Sequence, residues 1–462
     1  MALSRSRSPR RAGGGPTAPT AETPFLLDVD GEAAESDVNR VASYDDIQLW
    51  AHKVMQRICS SDPDLARLLR HNLERKVCIT THYSGIGTAE MAAAIVELAA
   101  QSHFSLDAAN CFRVHAASDI DPTAQHVLLS GVSTISPSHV FGDVCFPAPV
   151  ACQQRWRSWL TTTRQEIERA CSTPQERLRM IERKGSQIFS LIQRDLHKLT
   201  SSRNFKQHCI KCGKYCPRFP SLSSLSGALQ IDISGSTCVG FTTAGKQWQL
   251  LDDSIIPFAI WCWTVKSVKP DLIIHECVTG FPVTLLDAAL NHDEAPPLYQ
   301  VSTCVFDTTD LGIPVKRKRR YTVCRRLPSK AVAEYSLRSF QSVSFQELEL
   351  DGDAFFRASA CALQKLNSAM AGLAHLPASN RGELWPWEAL LRVGQFNRLQ
   401  EARDRARQRG LAIAFCSIMQ SSEFMSLSEK VPTLMTNSII SACVLAPPTM
   451  ISMSSKQGQQ HR

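Results

Sequence analysis

The sequence predicts an α/β protein: a Rossmann-like, doubly wound and mostly parallel sheet wrapped by helices, with a helical insertion. Three observations lead there. Short apolar or β-branched runs alternate with stretches of helical spacing. The first run ends in a glycine-containing turn that opens a helix. The alternation breaks once, between residues 146 and 225, and then resumes.

Taken in order, residues 1–40 are rich in Ser, Arg, Gly, Pro, Ala and Thr without a hydrophobic period. Such a segment buries too little surface to offset chain entropy, so disorder is expected. Its Arg/Ser start reads as a nuclear address, a nucleic-acid tether or a solvated tail. Ile47, Leu49, Trp50, Val54 and Ile58 suit one amphipathic helix; Leu65, Leu68, Leu69 and Leu73 suit another.

The run VCITTHY (77–83) is the first buried strand, followed by the alanine-rich helix TAEMAAAIVELAAQ. FRVHAAS (112–118) is the second, followed by a helix through Ala124, Val127 and Leu128; HVFGDV (139–144) is the third. Residues 146–225 read as charged helix and then a cysteine-containing loop, HCIKCGKYC, inserted between two core strands. The sheet pattern resumes with ALQIDIS (228–234), PDLIIHE (270–276), YQVSTCVF (299–306) and RYTVCRRL (320–327). The first half of the core domain is thus 41–145 and the second 226–330. Residues 331–450 are mixed, and 451–462 read as a disordered tail.

Composition narrows the classes. The net charge of +8 permits a polyanionic partner without requiring one. Seventeen scattered cysteines, with no apolar signal core at the N-terminus, read as reduced thiols of cytosol or nucleus. No stretch approaches the roughly 18–20 apolar residues that span a bilayer, so no membrane is expected; even SIIPFAIWCW is too short.

Each strand end carries a group suited to a nucleoside cofactor. In Tyr83-Ser84-Gly85-Ile86-Gly87 the glycines let the backbone curl towards a ligand, and the next helix offers its free N–H groups. Asp119 and Asp121, with Ile120 between them, follow the second strand, where a carboxylate can hold ribose hydroxyls. Asp143, followed by Val144, ends the third, where it can accept from an adenine amino group. Singly, each acid is more often a helix cap or a surface charge. Three consecutive strand ends of this kind favour the cofactor.

The blocks SGIGTAEMA, SDIDPTA, GDV, STCVGFT, HECVTGF and GIPVKRKRRYTV stand in an order that resembles the cytosine-C5 DNA methyltransferase family over residues 77–325, the insertion set aside. The resemblance implies the class I methyltransferase fold, S-adenosylmethionine as cofactor, a nuclear location and DNA as partner, with RNA as the substrate of one branch. It puts Cys238 at the nucleophile, Glu276 at the group that contacts the base, and Arg317 and Arg319 at the paired arginines. A thiolate adds at cytosine C6 to activate C5, then leaves by β-elimination after methylation. Glu276 supports protonation at N3, and the forked arginines hold the base carbonyl and a phosphate. A base in a duplex must be flipped out for this chemistry.

The chain departs from the family pattern at Thr237, where proline is usual, at Cys277 for asparagine and at Val315 for glutamine. Val239 and Gly240 also differ. KVPTLMTNSIISA (430–442) resembles the entry to a target-recognition region and no closing Gly-Asn-X-Val block follows, so the resemblance makes 331–450 a partial target-recognition region, and an incomplete C-terminal region is expected. The competing readings are a catalytically inactive nucleic-acid-binding relic of the fold and a methyltransferase acting on RNA. A nicotinamide-dependent dehydrogenase would leave Cys238, Glu276 and the arginines without a shared role.

His208, Cys209, Cys212 and Cys216 have a spacing compatible with zinc, completed from afar by Cys152 or Cys171. Since no second Cys-X2-Cys pair is present, loop thiols without a metal are the expectation.

Overall fold

The computed structural model describes residues 40–106, 111–130, 136–199, 205–220, 227–237, 239–242, 247–292, 294–327, 337–352, 364, 367–368, 390–411, 413–417, 425, 427–432 and 440–444. Residues 1–39 of the expected N-terminal tail and the expected tail 451–462 lie outside these residues, and so does Cys238; Arg40, the last residue of the expected N-terminal tail, belongs to a short strand instead.

A two-residue strand β1 (Arg40–Val41) precedes α1 (Tyr44–Gln48), α2 (Trp50–Ser61) and α3 (Pro63–Glu74). The single helix expected over 47–58 is two, divided at Leu49. Asp62 accepts from Leu65 N at the start of α3, and Pro63 stands in its first turn, where no intrahelical N–H bond is lost. The predicted alternation then follows: β2 (Val77–His82), α4 (Thr88–Phe104), β3 (Phe112–Ser118), α5 (Pro122–Ser130) and β4 (His139–Phe141).

Between β4 and the next sheet strand stand α6 (Val150–Ala170), α7 (Pro174–Lys198) and an antiparallel hairpin, β5 (Lys206–Cys209) with β6 (Lys214–Pro217). The sequence reading made this last piece a loop. Alternating burial along KQHC and left-handed Gly213 (φ +66°) at the turn make it a hairpin instead.

The core resumes with β7 (Leu229–Ser234), α8 (Ile255–Val268), β8 (Leu272–Cys277), α9 (Val283–Asn291), β9 (Tyr299–Phe306), β10 (Val315–Lys316) and β11 (Arg319–Arg326). Further on come α10 (Leu337–Ser344), β12 (Glu347–Leu348), α11 (Val393–Gln408), β13 (Ile413–Ser417), β14 (Val431–Pro432) and β15 (Ile440–Val444). β14 pairs with β10, which brings the segment at residues 430–432 back beside the KRKRR run.

Seven strands form one sheet in the order β4-β3-β2-β7-β8-β11-β9. All its pairs are parallel except those of β11, which runs antiparallel to β8 and to β9. The chain winds outward from β2 to β4, then returns to place β7 on the other side of β2. That reversal is a topological switch point, and ligands of such sheets bind beyond the carboxyl ends of the strands there.

Two cores cover the two faces. α2, α3 and α4 pack on Val77, Ile79 and Val114. α6, α7, α8 and α9 form the larger core with Trp156, Phe189, Trp261 and Leu286. β7 divides its side chains between them: Ile231 and Ile233 join the first, while Asp232 accepts from Trp261 Nε1 on α8 at 3.0 Å. The apolar run SIIPFAIWCW is thereby the buried helix α8. Among the described residues no helix is long and apolar enough to cross a membrane.

Candidate active site at the switch point

The glycine turn lies over the carboxyl end of β2. Tyr83, Gly85 and Gly87 all have left-handed φ (55°, 55° and 87°), which reverses the chain sharply before α4. A side chain at Gly87 would press on Leu128, whereas the space around Gly85 is open on the side where a Cβ would point. The turn is tied to the next strand end by main-chain and hydroxyl bonds: Ser84 N donates to Ser118 O (3.0 Å), and Ser118 N donates to Ser84 Oγ (3.0 Å).

Asp119 completes the cradle. Its Oδ2 accepts from Gly85 N at 2.8 Å and its Oδ1 from Asp121 N at 2.9 Å, so the carboxylate is fixed facing the turn with a lone pair left on each oxygen. Asp121 has the bland role: it caps α5 by accepting from Thr123 N and Ala124 N, which hold its carboxyl below the usual range. Ile120 and Ile86 are unusual apolar side chains to leave in water, at 71 % and 58 % exposed.

Asp143, past β4, accepts from Cys145 N at 2.8 Å and is partly exposed. Val144 beside it is buried in the α6–α9 core, so its side chain is structural and only its main chain borders the site. The Tyr83 phenol oxygen is buried and has no hydrogen-bond partner among the described residues; burial drives its pKa well up.

The other side of the crevice belongs to β7, β8 and β11. Glu276, at the end of β8, is held by both predicted arginines through one oxygen: Oε1 lies 3.2 Å from Arg317 Nη2 and 3.1 Å from Arg319 Nε. Arg317 N donates in turn to Asp307 Oδ1 at 2.8 Å. Oε2 faces the other way, 3.5 Å from where a Cβ on Gly235 would stand, with Tyr83 O at 3.9 Å from the same point. Gly235-Ser236-Thr237 is the segment that leads into Cys238. The glycine turn, residues 235–237 and Glu276 therefore converge at the strand ends; Cys238 itself lies outside the described residues.

Ser236 Oγ is 2.7 Å from His275 Nε2 beneath the loop. Gly240 is packed so closely against Asp252 and Gln249 that a Cβ would fall at 2.6–2.7 Å, so this position requires glycine. Cys277 is buried on β8 opposite Arg320 of β11. Thr237 and Val239, on either side of Cys238, are exposed.

Sequence reasoning missed a buried polar network under the site. His82 Nε2 is 3.1 Å from Asp232 Oδ2, and its Nδ1 is 2.9 Å from Arg218 Nη2. A guanidinium only donates, so Nδ1 accepts and the proton sits on Nε2, giving a neutral imidazole. Burial lowers the His82 pKa, in accord with that form. Arg218, 1 % exposed, also donates to Val144 O (3.4 Å) and Gln207 Oε1 (3.3 Å), and burial brings its pKa down to about 10. Its one sequence signal, an arginine two residues past the last cysteine of HCIKCGKYC, is too common to read.

No family model matches the chain. No curated protein matches it either. Several solved structures do. Schizosaccharomyces pombe Dnmt2 methyltransferase is 13 % identical, with 58 % of this chain and 54 % of that one covered, at a TM-score of 0.28. A triple mutant of Spodoptera frugiperda DNMT2 is 17 % identical over 57 % of this chain and 59 % of that one, at 0.26. Entamoeba histolytica methyltransferase EhMeth is 12 % identical over 55 % and 54 %, also at 0.26. The chain thus spans a little over half the length of these proteins. The strand order is more telling: counted along the seven sheet strands it is 3-2-1-4-5-7-6, with the seventh reversed. This is a Rossmann-like, doubly wound and mostly parallel α/β fold. That sheet sets the glycine turn, Asp119, Asp143, residues 235–237 and Glu276 along one edge.

Proposed function

We propose that this chain transfers a methyl group from S-adenosylmethionine to C5 of cytosine in DNA, through a covalent bond between Cys238 and C6 of a flipped base. The observation that carries the reading is Glu276, clamped through Oε1 by Arg317 and Arg319 while Oε2 faces the loop leading to Cys238.

The cofactor side fits the group it would hold. Open space at Gly85, an Asp119 carboxylate fixed beside it and the exposed Ile86 and Ile120 suit a ligand that is polar at its ribose and flat and apolar at its base. Bound there, S-adenosylmethionine supplies an electrophilic methyl group. Asp119 takes the ribose hydroxyls, and Asp143 takes the adenine amino group.

The chain's own residues do the rest. Cys238 adds as thiolate at C6, which places a pair of electrons at C5. Glu276 Oε2 faces the N3 and amino edge of the base, supporting N3 protonation as electron density moves into the ring. Arg317 and Arg319 keep the Glu276 charge compensated and offer donors to the base carbonyl and a neighbouring phosphate. Loss of the C5 proton after methylation expels Cys238 and restores the aromatic ring. The basic Arg/Ser start of the chain would serve a nuclear protein acting on DNA.

The test is covalent trapping on DNA containing 5-fluorocytosine, where fluorine blocks the elimination. With S-adenosylmethionine a denaturation-resistant adduct is expected, absent in Cys238→Ser. A chain that binds the cofactor yet traps neither DNA nor the matching RNA overturns the reading.

A further inference from the structure

The hairpin β5–β6 carries a second constellation, apart from the switch-point site. Cys209, Cys212 and Cys216 meet His139 of β4, with one ligand-type atom from each lying within 4.8 Å of all the others. His139 Nδ1 is 3.5 Å from Cys212 Sγ and 3.7 Å from Cys209 Sγ. Zinc bound tetrahedrally at about 2.3 Å from sulfur and about 2.0–2.1 Å from nitrogen holds such atoms about 3.5 Å apart. All three thiols are free.

We propose that His139, Cys209, Cys212 and Cys216 form a structural zinc site that clamps the inserted hairpin to the edge of the sheet.

The hairpin is shaped for it. Cys-X2-Cys ends in Gly213, whose left-handed backbone lets Gly213 N return to Cys209 O at 2.9 Å. Cys212 N points at Cys209 Sγ at 3.4 Å, the kind of N–H···S contact that favours a thiolate. Cys209 and Cys216 lie diagonally on one face of the hairpin and pack on Ala116 and Phe141 of the sheet. His208, the histidine adjacent in sequence, turns to the other face and meets the Tyr215 ring edge-on, because neighbouring strand residues point to opposite sides. Neither Cys152 nor Cys171 joins the group. Three thiolates and a neutral imidazole on a divalent ion leave one net negative charge, and Arg113, Lys211 and Lys214 are near enough to His139 to act on it electrostatically.

Four protein ligands close the coordination sphere, which marks a structural rather than a catalytic ion. Its place gives it work. β4 is one of the two edge strands of the sheet, only three residues long, and the hairpin covers it through Ile210 N to Val140 O at 2.8 Å. The same hairpin reaches the loop after β4 through Gln207 Nε2 to Asp143 O (3.2 Å), and Arg218 just past β6 enters the buried network.

The test is metal analysis of the full chain purified under reducing conditions. About one zinc per chain is expected from these four ligands, lost in Cys212→Ser. Cobalt exchanged into the site should give tetrahedral d–d bands and sulfur-to-metal charge transfer. His139→Cys, which keeps four ligands, should retain the metal and move the cobalt bands towards those of a four-thiolate site. A chain that binds no zinc even in excess, a disulfide among the three cysteines, zinc retained in Cys212→Ser, or cobalt bands unmoved in His139→Cys would each overturn the proposal.

Discussion

The two halves of the crevice are built in different ways. On the β2–β4 side the cradle is mainly backbone: N–H groups of Gly85, Asp121 and Cys145 fix the carboxylates of Asp119 and Asp143. On the β7–β11 side it is charge: one oxygen of Glu276 is shared by two arginines from the next strand and its approach. A backbone cradle forms whenever the turn folds and tolerates much side-chain change. A charged clamp depends on each member and is screened by salt where it is partly exposed, as these arginines are.

This contrast can be tested by damaging one side at a time. The largest effect is expected on the charged side. Glu276→Gln should lower methyl transfer by roughly 10²- to 10³-fold, as loss of a positioned acid–base group does, with cofactor affinity near that of the unaltered chain. Rates measured by label transfer and affinity by calorimetry would show it; a matching loss of cofactor binding would mean the halves are not separate. Asp119→Ala should do the reverse. Losing charge-assisted hydrogen bonds to a ribose should weaken cofactor binding by about 10- to 100-fold, with the rate at saturating cofactor much less affected. Unchanged affinity would remove Asp119 from the cofactor side.

The smallest effect concerns acid. His275, fully buried beside Ser236, has its pKa pushed down by desolvation to about 3. The folded chain therefore stays unprotonated here while the unfolded chain takes up a proton below about pH 6.5. Stability is intact above that value and falls as pH drops towards the folded-state pKa, by about 2 kcal/mol from this one group between pH 7 and 5. Denaturant midpoints at the two pH values measure it, and the loss should shrink by about that amount in a His275→Gln variant, the remainder coming from other buried histidines such as His82.

Much of the β2–β4 side of the crevice was legible in sequence. A parallel sheet places every strand's carboxyl end along one edge, so finding strands in Val77–His82, Phe112–Ser118 and His139–Phe141 already located Gly85, Asp119 and Asp143. The β7–β11 side was legible only as an ordered set of types. That Glu276 meets both arginines depends on β11 running antiparallel beside β8, with Tyr321 opposite Glu276. No local pattern announces that pairing.

The sequence by itself determined the alternation of strands and helices, the tight glycine turn and the acids that follow each strand. These are short-range properties, set by side-chain period and by which residues accept a left-handed backbone. Only the tertiary structure decided the partners. It chose His139 over His208 for the cysteine hairpin, since strand alternation turns His208 away and the sheet edge presents a histidine 70 residues earlier in the chain. It also drove Arg218 into the interior beside His82, 136 residues away, where a guanidinium is tolerated because fixed acceptors and Asp232 surround it. Contacts at such separations follow from how the layers pack, and packing leaves no mark in any short stretch of residues.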